Sequence, residues 1–150
     1  MTFSLGLMSC LWLGITGGFA PPLPSAIFTV TSVPTLPHFQ ITSALRPYGT
    51  PSLQDALPKE LNKDATTNKL VDELYDILKS IPTESPPGSE DIYGMDTGIA
   101  FACEDLQWIN GGPAGCGRGT SSVQATDEDK AKFRKAVEIV RQLVGHDGEP

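Results

Sequence analysis

The first 45 residues of this 150-residue chain contain no Asp, Glu, Lys or Arg. All 11 Lys and Arg residues and all 18 Asp and Glu residues lie between Arg46 and the C-terminus. Globular domains carry charged side chains throughout their surface, so a charge-free stretch of this length indicates a segment with a separate task. We therefore consider the N-terminal segment apart from the remainder of the chain.

An apolar run of 13 residues, Phe3 to Ile15, is followed by Gly17 and Gly18. A helix that crosses a bilayer needs about 20 apolar residues, so this run is too short for a membrane anchor. Its length and the small residues after it are typical of a secretory signal peptide. We predict a signal peptide over residues 1–18.

Cleavage after Gly18 would leave Phe19-Ala20-Pro21-Pro22 at the new N-terminus. This junction resembles the two-part plastid-targeting presequences of diatoms, in which a transit peptide that begins with Phe follows a signal peptide. Residues 19–45 are rich in Ser, Thr and Pro and contain no acid, as a transit segment requires. The first basic residue is Arg46, whereas transit peptides usually contain Lys or Arg. Ordinary secretion therefore stays open as an alternative.

Residues 46–150 are predicted to form one small mature domain. They carry the whole formal charge of −7, and this acidic balance argues against nucleic acid as the main partner. No later segment is apolar over a membrane-spanning length, so the sequence predicts no transmembrane helix. Cys103 and Cys116 suit either a disulfide or two packed thiols, depending on the redox compartment.

Two amphipathic helices are predicted, over about 65–80 and 127–144. Apolar residues recur every three or four positions in both segments. Asp64 or Thr67 can cap the first helix. Thr126 and Asp129 form a capping box for the second, which Gly145 ends.

Between the two helices, residues 82–124 show neither helical nor strand periodicity over any length. Five glycines fall between Gly111 and Gly119, and a Pro-rich cluster begins at Pro82. The short apolar stretch Ile99 to Cys103 could be a strand, but no partner strand is visible in the mature part. The predicted fold class is therefore mainly α with extensive irregular coil and little or no sheet.

Three motifs resemble catalytic or ligand sites without meeting their requirements. Asp96-Thr97-Gly98 matches the aspartic-protease triplet, but that chemistry needs two carboxylates. Residues 112–120 have P-loop glycine spacing, but Arg118 replaces the Lys. The acids around Glu90 do not follow calcium-loop spacing. We predict no catalytic residue, no metal site, no bound cofactor and no enzymatic activity.

The long loop nevertheless contains aromatic side chains, which a plain linker lacks. Because two helices alone cannot cover these side chains, we predict that some of them bury against a partner, as interface anchors do. The predicted partner-binding residues are Tyr93, Phe101, Trp108 and Phe133.

The loop that begins at Asp91 (DIYGMDTGIAFACEDLQWINGGPAGCG), together with the two helices, resembles the small extrinsic stromal subunit of diatom photosystem I. The resemblance implies a non-enzymatic peripheral subunit that stabilises the photosystem I–antenna complex. It also implies a place on the stromal side of the plastid thylakoid membrane. The implied partners are the photosystem I core subunits, including the acceptor-side iron–sulfur subunit. Two alternatives stay open: a stromal redox regulator that uses Cys103 and Cys116, and a secreted small disulfide-closed protein.

Overall fold

The computed structural model describes residues 8–13, 26–33, 35–45, 54–55, 59–86, 88–111 and 120–145. These residues form seven strands and two helices. In chain order they are β1 (Met8–Leu13), β2 (Ala26–Ser32), β3 (His38–Leu45), β4 (Gln54–Asp55), β5 (Lys59–Asn62), α1 (Ala65–Ser80), β6 (Thr97–Cys103), β7 (Leu106–Ile109) and α2 (Asp127–Val144).

The described strands build one antiparallel sheet in the order β4-β3-β2-β1-β6-β7, and β5 also pairs with β3. β1 lies in the middle of this sheet. Its pairing with β2 runs from Met8 opposite Thr31 to Leu13 opposite Ala26. On its other side, the pairing with β6 runs from Met8 opposite Ala102 to Leu13 opposite Thr97. The N-terminal strand therefore joins the β2–β5 half of the sheet to the β6–β7 hairpin.

Side chains alternate between two faces of the sheet, as the period of a strand requires. On the inner face, which the helices cover, the buried side chains are Phe28 and Val30 of β2, Phe39 and Ile41 of β3, Ile99 and Phe101 of β6, and Trp108 of β7. The apolar stripes of α1 and α2 complete this core. Each large side chain buried in this way contributes about 1.5–3 kcal/mol, so the core depends on the sheet as much as on the helices.

Both predicted helices are confirmed at the predicted positions. The Asp64 carboxylate accepts a hydrogen bond from the Thr67 backbone N–H at 2.8 Å and caps α1, and this bond holds the pKa of Asp64 below its ordinary value. Thr126 and Asp129 form the reciprocal capping box of α2. Gly145 ends α2 in the left-handed conformation, with φ of 71°, which suits a residue without a Cβ. Neither helix in the described part of the chain is long and apolar enough to cross a membrane.

The predicted fold class is wrong in its exclusion of a sheet. Ile99 to Cys103 do form a strand, and it has two partners, β1 and β7. Three of the strands come from residues 8–45, which the sequence interpretation had assigned to a presequence and so had not considered as partners. The two helices are too small to bury each other's apolar sides and the aromatic rings between them. The inner face of the sheet supplies the apolar surface that buries both.

The predicted signal peptide (1–18) and transit segment (19–45) overlap β1, β2 and β3. Their removal from the mature protein stays a prediction. The described fold requires residues 8–45 to be retained, because these residues supply three strands of the sheet, one of them β1 at its centre.

Candidate binding site

The four predicted partner-binding residues all lie in the core of the structure. Tyr93 is 4% exposed, Phe101 2%, Trp108 6% and Phe133 0%. The sequence interpretation assigned the missing cover to a partner, but the inner face of the sheet completes the burial of these rings. Contact between these four rings and a partner stays a prediction, and it would require the partner to replace contacts that the chain already makes.

Tyr93, Trp108 and Phe133 form an aromatic cluster between the helices and β7. The Tyr93 and Phe133 rings stack with centroids 4.2 Å apart, and Trp108 lies 6.1 Å from Phe133 and 6.4 Å from Tyr93. The Trp108 indole N–H donates to the Ile81 carbonyl at 3.1 Å, and the Tyr93 hydroxyl donates to the Pro82 carbonyl. The cluster therefore fixes the end of α1 against β7 and α2.

Burial raises the pKa of Tyr93 well above its ordinary value, and the nearby charges of Asp129 and Glu84 add to this shift. The hydroxyl consequently stays protonated and keeps its hydrogen bond to Pro82. A Tyr in this state serves as a structural donor and not as a base.

Glu84 is a buried carboxylate, 3% exposed. Its Oε2 atom accepts hydrogen bonds from the backbone N–H groups of Gly88 at 2.9 Å and Gly111 at 2.7 Å. Its Oε1 atom is buried and has no hydrogen-bond partner among the described residues. Sequence reasoning did not select Glu84, because an isolated acid in a Pro-rich segment matches no motif.

Glu90 binds the segment around Ser121 and Gln124 in a similar way. Its Oε2 atom accepts from the Ser121 backbone N–H and from the Gln124 side chain, each at 2.8 Å, and these bonds lower its pKa. Together, Glu84 and Glu90 fix Gly111 and Ser121, the residues on either side of the glycine-rich stretch. That stretch, residues 112–119 with Cys116 and Arg118, lies outside the described residues.

Asp91, in the same region, also accepts hydrogen bonds from within the chain. Its carboxylate accepts from the backbone N–H groups of Gly94 and Asp96. Asp96 has a φ of 51°, so the Asp-Thr-Gly triplet begins in a turn and continues into β6. No group of three His, Cys, Asp or Glu residues that could hold a metal ion occurs in the described ranges.

Cys103 is a free thiol whose Sγ atom donates to Asp105 Oδ1 at 3.3 Å. The Tyr75 hydroxyl donates to the other carboxylate oxygen at 2.9 Å. These two bonds, that from Tyr75 first, lower the pKa of Asp105. Burial first, with the Asp105 side chain adding to it, raises the pKa of Cys103. A raised thiol pKa opposes thiolate formation and does not favour the redox-regulator alternative.

The outer face of the sheet, which points away from the helices, is the most distinctive surface of the described chain. Its positions are Gln107 and Ile109 on β7, Gly98, Ala100 and Ala102 on β6, and Ile27, Thr29 and Thr31 on β2. Register places Met8, Cys10 and Trp12 of β1 in the same rows. None of these positions carries Asp, Glu, Lys, Arg or His.

Charge returns to the outer face beyond β2: Asp55 of β4 lies opposite Ala44, and further charge lies at the β3–β5 edge. His38 Nε2 lies 3.3 Å from Glu60 Oε1 there, while Gln40 and Thr42 are exposed and neutral. Ile109, at the opposite edge, is 43% exposed and is the large apolar side chain with the highest exposure among the described residues. Sequence reasoning missed this surface because it had assigned β1, β2 and β3 to a presequence.

Comparison with known proteins adds no relative. A scan against protein-family models, a search of curated proteins and a search of solved structures each found no match for this chain.

Proposed function

We propose that this chain is a non-enzymatic binding protein, a peripheral subunit that docks on a larger complex through the outer face of its sheet. The observation that carries the proposal is the charge-free surface that β7, β6, β1 and β2 share. The protein has a net charge of −7, yet four adjacent strands carry no charge on this face. Such a surface suits contact with another protein, since charged residues are depleted at interface centres.

The acids of the structure support a binding role in a different way. Glu84, Glu90, Asp91 and Asp105 each accept hydrogen bonds from within the chain. Because these carboxylates hold parts of the chain together through hydrogen bonds, we assign them a structural role and not a role in acid–base chemistry.

The complex that we propose is photosystem I, on the stromal side of the thylakoid membrane. This part of the proposal rests on the resemblance of the loop from Asp91 and the two helices, and not on cleavage at the Phe19 junction, which would remove β1 from the docking face. The proposed contacts are with the core subunits, including the acceptor-side iron–sulfur subunit.

The test is fractionation of thylakoid membranes on native gels, followed by mass spectrometry with two proteases. The tryptic peptide 136–141 reports the presence of α2. The chymotryptic peptide 29–39 reports whether β2 and β3 remain in the mature chain. We expect both peptides in a photosystem I band, and recovery of 136–141 only from the soluble fraction or the medium would refute the assignment.

If 136–141 appears in the band without 29–39, the photosystem assignment stands but docking through this sheet face is wrong. A pair of variants separates the surface from the fold. Ile109→Glu places a charge on the outer face, and Thr66→Glu places the same charge on exposed α1. We expect Ile109→Glu to lower recovery in the band about tenfold, and Thr66→Glu to leave recovery unchanged, with both proteins folded by circular dichroism.

A further inference from the structure

The exposed side of α2 carries a concentration of positive charge that the rest of the chain lacks. Residues 130–145 contain five Lys and Arg and one Glu, a net charge of +4. The other residues contain six Lys and Arg and 17 Asp and Glu, a net charge of −11. The first turn of α2 adds Asp127, Glu128 and Asp129, so the whole helix, with five Lys and Arg and four Asp and Glu, has a net charge of +1. The basic surface is therefore confined to the turns of α2 that follow Asp129.

Four of the cations on α2 form no ion pair with another described residue. Lys132 pairs with Glu128 at 3.3 Å, but Lys130, Arg134, Lys135 and Arg141 do not. We call these four residues the basic stripe. Lys130, Arg134 and Lys135 are exposed, and Arg141 is half-buried.

Helical spacing aligns most of the basic stripe. Lys130, Arg134 and Arg141 differ by four and by seven positions, so their side chains leave the helix within a narrow angular sector. With a rise of about 1.5 Å per residue, they cover about 16 Å along the axis. Lys135 lies about 100° around the helix from Arg134. Glu138, four residues after Arg134 and three after Lys135, lies between these two cations and is the one acid within residues 130–145.

We propose that the basic stripe is a second interaction surface, and that its partner is a protein face or segment rich in Asp and Glu. The stripe lies on α2, in the helix layer that covers the inner face of the sheet. It is therefore separate from the outer face of the sheet, and the proposal goes beyond the function proposed above. The chain would then contact one neighbour through each of its two layers.

Two observations favour an acidic protein over an anionic membrane. The apolar side of α2, including Phe133, Ala136 and Val140, is fully buried in the core, so the helix has no apolar face to insert into a bilayer. The net charge of −11 elsewhere would also be repelled by an extended anionic surface. A protein partner can present carboxylates locally, and the exposed Arg134 can bind one with two parallel hydrogen bonds.

The test measures binding of a fluorescein-labelled peptide of alternating Glu and Ala to the full chain, by fluorescence anisotropy. Its counterpart with Gln in place of Glu is the control peptide. The variant Lys130→Gln/Arg134→Gln/Lys135→Gln removes most of the stripe. The matched control, Lys59→Gln/Lys69→Gln/Lys79→Gln, makes the same change in net charge at exposed positions elsewhere.

We expect the Glu peptide to bind at low salt, and to bind more weakly at about 0.15 M salt because screening shortens the range of the attraction. We expect the stripe variant to lose about tenfold in affinity, as three exposed charge pairs allow. The control variant should stay within about twofold of the native chain. Equal losses in both variants would overturn the proposal, as would the absence of binding to the Glu peptide. Vesicles that contain phosphatidylglycerol provide the third arm, and tighter binding to them than to the peptide would also overturn it.

Discussion

Removal of residues 1–18, the predicted signal peptide, is expected to abolish the described fold. This truncation deletes β1, which is paired along six residues with β2 and along six with β6. An antiparallel ladder carries on average one hydrogen bond per residue pair, so about 12 backbone hydrogen bonds are lost. At about 0.5–1.5 kcal/mol net for each bond, the loss is about 6–18 kcal/mol, against a typical total stability of about 5–15 kcal/mol.

The measurement compares the full chain with two truncations, by far-ultraviolet circular dichroism and urea denaturation. Removal of residues 2–7, which precede Met8, is the matched control and should leave a cooperative transition. Removal of residues 1–18 should eliminate that transition. Hydrogen exchange supplies an independent readout, because the backbone amides of β2 and β6 should lose their protection. A truncated chain that unfolds cooperatively with native strand content would show that β1 is not a central strand, and would refute the reasoning.

Three further changes test the interior of the structure. Phe133→Ala should lower the free energy of unfolding by about 3–5 kcal/mol, since it deletes a fully buried ring that stacks on Tyr93; urea denaturation measures the loss, and a change below 1 kcal/mol would contradict the packing. Asn110→Leu should cost about 2–3 kcal/mol in the same assay, because the buried amide accepts from the Ile99 N–H at 2.7 Å and donates to the Thr97 carbonyl at 3.0 Å. In a chain whose other two cysteines are replaced by Ser, Cys103 should react with iodoacetamide more slowly than free cysteine at neutral pH. Its folded pKa is raised, so the thiolate forms only at higher pH, and Asp105→Asn should shift the rate profile to lower pH by removing a neighbouring negative charge.

Local signals in the sequence were sufficient to predict the helices. The apolar spacing of α1 and α2, the caps at Asp64 and Thr126, and the terminator Gly145 all act within a few residues of one another. Their effect does not depend on distant parts of the chain, so a reading of the sequence alone places both helices correctly.

The ladder between β1 and β6 joins residues about ninety positions apart, and such a contact is not visible in a local pattern. The other partner of β6 is local, since β7 follows in a hairpin with Cys103 opposite Leu106, but the four residues of β7 are too few to show strand periodicity. The alternation of Phe28 with Val30 and of Phe39 with Ile41 was a usable strand signal. It was passed over because the absence of charge had already been interpreted as a targeting segment.

The aromatic rings show the same limitation at the level of the candidate site. An apolar loop with Tyr93 and Trp108 requires a covering surface, and that inference from the sequence was sound. The identity of the surface was not available, since the inner face of the sheet exists only after β1 joins β2 and β3 to β6. Once the sheet is counted, these rings are covered within the chain.

The absence of charge from the first 45 residues has two explanations that cannot both hold for one mature molecule. A presequence lacks charge for targeting and is then removed, whereas β2 lacks it because one of its faces is buried in the core and the other belongs to the outer face of the sheet. In the second case charge would be costly on the inner face, where Phe28 and Val30 are at most 3% exposed. On the outer face, charge is tolerated at the β3–β5 edge, where Glu60 lies 70% exposed beside His38. For the neutrality at the centre of that face, contact with a partner is the physical reason that we favour.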